Sequence, residues 1–253
     1  MDKKILYREE GFVGYVTLNN PKKLNSFDFQ SIKELDGVLD RIGRSRIKAV
    51  VITGEGRAFS SGGDIAWEKE LGDIPKAEAM RQISFIQKAF SKIEGLPQIF
   101  IALIDGYAVG GGSEMAMACD IRVATENAKF LHPEVSLGTV APLGATKRLP
   151  RLIGLGKAKY MLLTGEIIDS ATALKWGLVD FLVPRKKIGG FMDSLLQKIT
   201  RNPMQPIALT KKSVNSSYRK DMVDKFEADS YIKCSASKEN RELLDNFFRN
   251  KNR

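Results

Sequence analysis

Residues 99–119 read IFIALIDGYAVGGGSEMAMAC. The first six are an unbroken apolar run, as in a strand buried on both faces. The last five are apolar all round, as in a helix buried on every side. Between them Asp105-Gly106-Tyr107-Ala108-Val109-Gly110-Gly111-Gly112-Ser113-Glu114 reads as a glycine-bearing loop. A buried helix that opens on glycine presents bare backbone N–H groups, with a favourable dipole, to whatever lies above it. The arrangement has a precedent earlier in the chain. Ala49–Thr53 is a continuous apolar strand, and Arg57-Ala58-Phe59-Ser60-Ser61-Gly62-Gly63-Asp64-Ile65 follows it as a second glycine-bearing loop. In open α/β arrangements ligands sit at such strand ends.

The flanking chain extends this pattern. Strands are expected at Ile5–Glu9 and Phe12–Leu18, with a turn near Gly11. Ile32, Leu35, Leu39 and Ile42 recur at helical spacing, which predicts an amphipathic helix over about Phe27–Ile42. Ile83, Ile86, Phe90 and Ile93 mark a second helix that starts near Pro75 and stops at Gly95. Another strand is expected at Ile121–Ala124. Strands and helices alternate to about residue 131, the pattern of an α/β fold with parallel pairing. From about Ala145 the chain is mostly helix, interrupted by one strand at Leu178–Val183 and closed by a helix over Lys238–Phe248. The apolar side of that last helix suits either a core or a subunit interface.

Composition narrows the function classes. The chain has 253 residues, of which 43% are hydrophobic and 28% charged, enough for a sizeable core. No apolar run approaches the roughly 20 residues of a membrane span, and MDKKILYREE has no signal-peptide core, so the expected address is cytoplasmic. Cys119 and Cys234 cannot make a disulfide framework or a thiolate metal site alone. With His132 as the single histidine, a multi-histidine zinc site is excluded, and acid–base chemistry falls to carboxylates. The net charge is +10, of which residues 185–253, with 16 basic and 8 acidic residues, hold +8. Such an excess suits a solvated surface, a polyanionic ligand or nucleic acid.

The two loops could each give one N–H to a single carbonyl oxygen. That would be an oxyanion hole, worth about 2.7–4 kcal/mol per donor. They could equally be tight turns that allow close helix packing. Neither is a Walker A or a GxGxxG motif. Glu114 opens the buried helix, and Glu134 follows 20 residues later in FLHPEVSLGT, residues 130–139. Facing carboxylates can hold a water and do general acid and base work, one pushed towards its protonated form by the other. A glutamate in a first helical turn is also simply a good dipole partner.

Five segments taken together resemble the crotonase, or enoyl-CoA hydratase/isomerase, superfamily. They are LNNPKKLNSF at 18–27, GRAFSSGGDI at 56–65, DGYAVGGGSEMAMACDIRVAT at 105–125, HPEVSLGTVAPLGATKRLPRLIG at 132–154 and LLTGEIIDSATALKWGLVDFLVP at 162–184. Their order and spacing are the family's. The resemblance implies an α/β fold, a crotonase-like spiral of ββα units over 1–195, with a helical C-terminal region over 196–253 involved in oligomerisation. It implies homotrimers or hexamers made of two trimers, and acyl-CoA thioester substrates of fatty-acid metabolism. No cofactor is implied beyond the coenzyme A of the substrate itself, and no metal. The implied oxyanion donors are the N–H groups of Gly63 and Gly111. The implied acid–base pair is Glu114 and Glu134. Lys22, Leu24, Ser61, Gly63, Asp64, Ile65, Ala66 and Gly111 fall at substrate-binding positions, and Lys251 at one reaching a neighbour's ligand. The implied reaction is hydration of a trans-2-enoyl-CoA. Isomerisation, thioester hydrolysis and decarboxylation occur on the same scaffold, and an isomerase needs only one proton-shuttling carboxylate.

There are departures from the family's hydratases. Ala141-Pro142-Leu143-Gly144-Ala145 replaces the usual proline–glycine and paired glycines, which could narrow the pocket or displace the water. His132 is a pocket-wall or packing residue, or an extra polar contact. Ser113 bonds locally or is a small residue at a tight turn. Some crotonase-like proteins bind RNA through lysines along the first helix. Here Lys33, Gly37 and Arg41 are interleaved with Glu34, Asp36 and Asp40, which argues against nucleic acid.

Overall fold

The computed structural model describes residues 3–216. In chain order it comprises β1 (Ile5–Glu10), β2 (Val13–Leu18), α1 (Phe29–Gly43), β3 (Ala49–Gly54), β4 (Ala58–Ser60), α2 (Ile65–Asp73), α3 (Lys76–Gly95), β5 (Ile99–Ile104), β6 (Tyr107–Val109), α4 (Gly111–Ala118), β7 (Ile121–Ala124), β8 (Lys129–Leu131), α5 (Ala145–Ile153), α6 (Leu155–Thr164), β9 (Ile168–Asp169), α7 (Ser170–Trp176), β10 (Phe181–Leu182), α8 (Ile188–Thr200) and α9 (Met204–Ser216). The expected helix at Lys238–Phe248, Cys234, Lys251 and most of the expected C-terminal region lie outside the described residues.

Two sheets organise these elements. The larger has the order β1-β2-β3-β5-β7-β10, parallel throughout except for the β1–β2 hairpin. The smaller has the order β4-β6-β8-β9, and β4, β6 and β8 run parallel. Each turn of the spiral gives one strand to each sheet: β3 then β4, β5 then β6, β7 then β8. This is the ββα spiral that the family resemblance implies.

The continuous apolar strands have the two-faced burial that their composition requires. In β3, Val50 and Ile52 enter the main core with α1, α3 and α4, while Ala49 and Val51 face a second core closed by Met192 and Leu196 of α8. In β5, Phe100, Ala102 and Ile104 face the main core and Ile101 the second. Helix α1 buries Ile32, Leu35, Leu39 and Ile42, the predicted stripe, and starts on an Asp28 capping box with Ser31. All eight residues of α4 are buried, as its apolar circumference demands. Helix α9 is anchored by the buried Lys211, whose Nζ donates to Asp120 Oδ2 at 2.7 Å and to the carbonyls of Gln98 and Ile93.

Two expectations are corrected, and one further helix is added. The two glycine-bearing loops are not loops throughout, because each contains a three-residue strand, β4 and β6. Such strands are too short for a period-2 pattern and read as loop beside glycine. The expected strand at Leu178–Val183 pairs only over Phe181–Leu182, against Val123–Ala124 of β7. Helix α2 was not visible in the sequence, since it buries none of its residues and so carries no apolar stripe.

The small sheet brings the two glycine loops into contact. Gly112 at the start of α4 lies on Ser60 at the end of β4: a Cβ there would overlap the Ser60 carbonyl oxygen and come within 2.7 Å of the Ser60 Cβ. We expect Gly112→Ala to destabilise the protein by about 1–3 kcal/mol, the range for overpacking a closed contact. Gly37→Ala, on the exposed face of α1 with open space around it, should instead stabilise by about 0.5–1 kcal/mol. Urea midpoints of the two variants measure both.

Candidate active site

The residues singled out above converge just beyond the ends of three adjacent parallel strands. Strand β4 runs into Ser61-Gly62-Gly63, β6 into Gly110-Gly111, and β8 into His132-Pro133-Glu134. Gly62, with φ of 88°, brings the two loops together: a Cβ there would lie 2.8 Å from the Val109 oxygen and 3.1 Å from the Gly111 nitrogen. Gly63 and Gly111 therefore neighbour each other. Neither N–H donates to an acceptor among the described residues, whereas the next one along, from Asp64, is used by the Phe27 carbonyl at 2.8 Å. The Phe27 ring closes the floor, 2.5 Å from where a Cβ on Gly111 would sit.

The first loop is braced from below. Asn25, buried and at φ of 57°, gives its side-chain amide to the carbonyls of Glu55 and Ala58 at 2.9 and 2.7 Å. Asparagine is among the few residues that tolerate this backbone conformation. Its own carbonyl accepts from Ser60 Oγ at 2.8 Å, and Ser60 Oγ accepts from the Gly62 N–H at 3.1 Å. The short 3-10 turn Pro21–Lys23 lies alongside, with Ser61 N–H on the Leu24 carbonyl at 2.9 Å. Lys22, Leu24, Ser61, Asp64, Ile65 and Ala66 thus share one rim with Gly63. Lys22 and Ala66 are exposed and Ile65 is 68% exposed, so the rim is open to a ligand. Lys23, which sequence reasoning passed over, joins the rim by pairing with Asp64 at 2.6 Å. That ion pair holds the Asp64 carboxyl below its ordinary range.

Glu114 is fully buried. Its Oε1 accepts the N–H groups of Leu143 and Ala145, each at 2.8 Å. The segment Ala141–Ala145, read from sequence as a possible obstruction, therefore holds the carboxyl in place. Leu143 contributes its backbone to Glu114 and its buried side chain to the wall beside Gly111. The segment is clamped in turn by Arg148, which donates to the Leu143 carbonyl at 2.8 Å and forms a two-pronged pair with Glu94 at 2.8 and 2.9 Å. Arg148 left no sequence signal beyond being a cation on an otherwise apolar helical face. Burial pushes the Glu114 carboxyl above its ordinary value, and the nearby Glu134 adds to the shift, while the two backbone N–H groups oppose it.

Glu134 opens a 3-10 turn, Glu134–Leu137, and its Oε1 lies 3.1 Å from where a Cβ on Gly110 would be. His132 lies between Glu134 and Ser113. Its Nε2 is 3.1 Å from Ser113 Oγ, next to Glu114, and its Nδ1 is 3.5 Å from Glu134 Oε1, the limit of a hydrogen bond. His132 is thus a buried polar contact, and Ser113 is its partner. The remaining oxygens, Glu114 Oε2 and Glu134 Oε2, are buried with no hydrogen-bond partner. Buried carboxylate oxygens cost about 1–3 kcal/mol or more when left unsatisfied. Two of them at one site mark a place built for something polar.

No group of three His, Cys, Asp or Glu side chains among the described residues is arranged to hold a metal ion. Nor is any described helix long and apolar enough to cross a membrane. On α1, Arg41 pairs with Glu9 at 3.0 Å and Lys33 lies over the Phe29 ring, so these cations already have partners.

Known proteins resemble this chain in sequence and in fold. The sequence pattern of the enoyl-CoA hydratase/isomerase family matches residues 8–251. The chain is 34% identical over 247 residues to a short-chain-enoyl-CoA hydratase of Clostridium acetobutylicum, covering 96% of this chain and 94% of that one. It is 32% identical to a crotonyl-CoA hydratase of Syntrophomonas wolfei, covering 97% and 95%. Among solved structures, an enoyl-CoA hydratase from Bacillus anthracis superposes with a TM-score of 0.91 at 30% identity, covering 98% of this chain and 96% of that one.

The raised Glu114 carboxyl makes a stability prediction. Its contribution is fully present below the ordinary value of 4.5 and is lost as pH rises through the higher folded value, because the charged form is the one burial penalises. Glu114→Gln keeps an oxygen for Leu143 and Ala145 and removes the charge. The variant should melt about 2–4 °C above the parent at pH 8, equivalent to about 1 kcal/mol, with the gain vanishing towards pH 4. Calorimetry across that range tests the sign.

Proposed function

The chain belongs to the enoyl-CoA hydratase/isomerase family, and we propose that it adds water across the double bond of a trans-2-enoyl-CoA. The observation that carries this reading is the pair of unpartnered oxygens, Glu114 Oε2 and Glu134 Oε2. One water held between them would satisfy both and would stand ready to react. The relatives named as short-chain-enoyl-CoA and crotonyl-CoA hydratases support a short acyl chain.

In the proposed mechanism the thioester oxygen lies on the N–H groups of Gly63 and Gly111. As water attacks the β-carbon, electrons move through the conjugated system onto that oxygen, and the two donors stabilise the enolate charge as it develops. Glu114 takes the proton that the water loses. Its raised carboxyl pKa makes it a stronger base. Glu134 delivers the second proton, to the α-carbon, as the enolate collapses. The product is a 3-hydroxyacyl-CoA, with one new C–O and one new C–H bond. Proton return from Glu114 to Glu134 through the next water resets the pair. Isomerisation would employ one carboxylate and leave the second unpartnered oxygen without a role.

The same reading assigns Lys22, Leu24, Ser61, Asp64, Ile65 and Ala66 to the coenzyme A moiety, with no separate cofactor. Assembly as a trimer or hexamer belongs to it as well. Leu155, Tyr160 and Leu163 on α6 and Ile167 just beyond are 47–69% exposed, an apolar surface of the kind a second copy would cover.

Loss of the conjugated enoyl thioester absorbance with crotonyl-CoA is the direct test. We expect turnover by the parent, and kcat reduced about 10²–10⁴-fold in Glu114→Gln and in Glu134→Gln, with butyryl-CoA binding retained. A parent that binds butyryl-CoA and leaves crotonyl-CoA unchanged would refute the hydratase assignment.

A further inference from the structure

Helix α2 carries a third carboxylate into the site. The Glu68 side chain curls back over Gly63: a Cβ on Gly63 would overlap Glu68 Oε1 and lie 2.9 Å from its Cδ. Glu134 sits in the same way over Gly110. Since Gly62 and Gly111 join the two loops, Glu68 and Glu134 flank the adjacent Gly63 and Gly111 N–H groups. Glu68 has no cation partner among the described residues. Partial burial raises its carboxyl pKa, and the charges of Glu134 and Asp64 raise it further, so these groups feel one another's field. Lys23 is committed to Asp64 and does not offset Glu68. An anionic group arriving at the reacting end of the cleft would meet an unbalanced negative field, screened only in part although Glu68 is exposed to solvent.

We propose that Glu68 is a specificity-determining residue, whose carboxylate over Gly63 excludes acyl chains bearing their own carboxylate and so selects uncharged acyl-CoA thioesters. Specificity of this kind works by repelling the wrong ligand rather than by gripping the right one. The role rests on the acyl-CoA reading of the cleft. It does not require hydration. The charge already fixed on coenzyme A is common to both ligands and cancels in a comparison between them.

The test is binding of two saturated thioesters, butyryl-CoA and glutaryl-CoA, by isothermal titration calorimetry on the full chain. The parent should prefer butyryl-CoA by about tenfold or more, the scale of one like-charge contact in a partly screened site. Glu68→Gln should bring that preference within about threefold. The preference of the parent should also narrow between 50 and 500 mM salt, because screening weakens repulsion. Glu70→Gln, an exposed charge on the same helix, should keep the parent's ratio. Equal binding of the two thioesters by the parent, or an unchanged ratio in Glu68→Gln, would overturn the proposal. Lack of crotonyl-CoA turnover with this binding pattern intact would remove the hydratase reading alone. Binding of neither thioester would overturn both.

Discussion

The site depends on the contact of backbone against backbone where Gly62 meets Val109 and Gly111, and where Gly112 meets Ser60. Parallel strands lie about 4.8 Å apart. Loops leaving adjacent strand ends come that close only if no side chain stands between them. Glycine at the crossing points meets that requirement and leaves two N–H groups on neighbouring turns unspent. The rest of the fold serves this contact. The larger sheet and α1, α3 and α4 provide a core that places β4 and β6, and Asn25, Ser60 and Phe27 lock the first loop from beneath.

Around that contact the protein maintains an electrostatic arrangement that a purely structural core would avoid. Glu114 is buried at the start of a fully buried helix and retains an unpartnered oxygen. Two backbone N–H groups from Leu143 and Ala145 moderate the cost, and they are supplied by a segment that Arg148 and Glu94 hold from the far side. His132 links the second glutamate to Ser113, the residue before Glu114. A rigid support for a destabilised carboxyl is what pre-organised acid–base chemistry needs.

Much of this was legible in the sequence because it is written in local pattern. The strand at Ile99–Ile104 has the bounds its apolar run predicts, and the α1 stripe gave the helix face. The fully apolar circumference of Met115–Cys119 foretold a buried helix. The candidate site residues came from two glycine runs at strand ends and from the family resemblance. What escaped was non-local. The short β4 and β6 exist because neighbouring strands pair with them, and nothing in three residues announces that. Lys23, Arg148 and Glu68 act through partners 41, 54 and 5 residues away. Only Glu68 lies within reach of a helical repeat, and it sits on a helix with no apolar stripe to betray it. The substitution of Pro142 and Leu143 for the usual glycines read as a threat, because the sequence shows side chains and the useful groups there are backbone N–H donors.

Helix α2 buries none of its residues and is held by its Asp64 cap, by partly buried Trp67 and by the bond from Trp67 Nε1 to Gln82 at 2.9 Å. It nonetheless forms the rim nearest the reacting end of the cleft. Its exposed residues can therefore change with little consequence for folding, and under the proposed role of Glu68 such changes alter what the cleft admits. The scaffold separates what must be kept from what may drift. Divergence of substrate range within this lineage is expected to accumulate on this one helix first, ahead of any alteration in the strands or in the glycine contact beneath it.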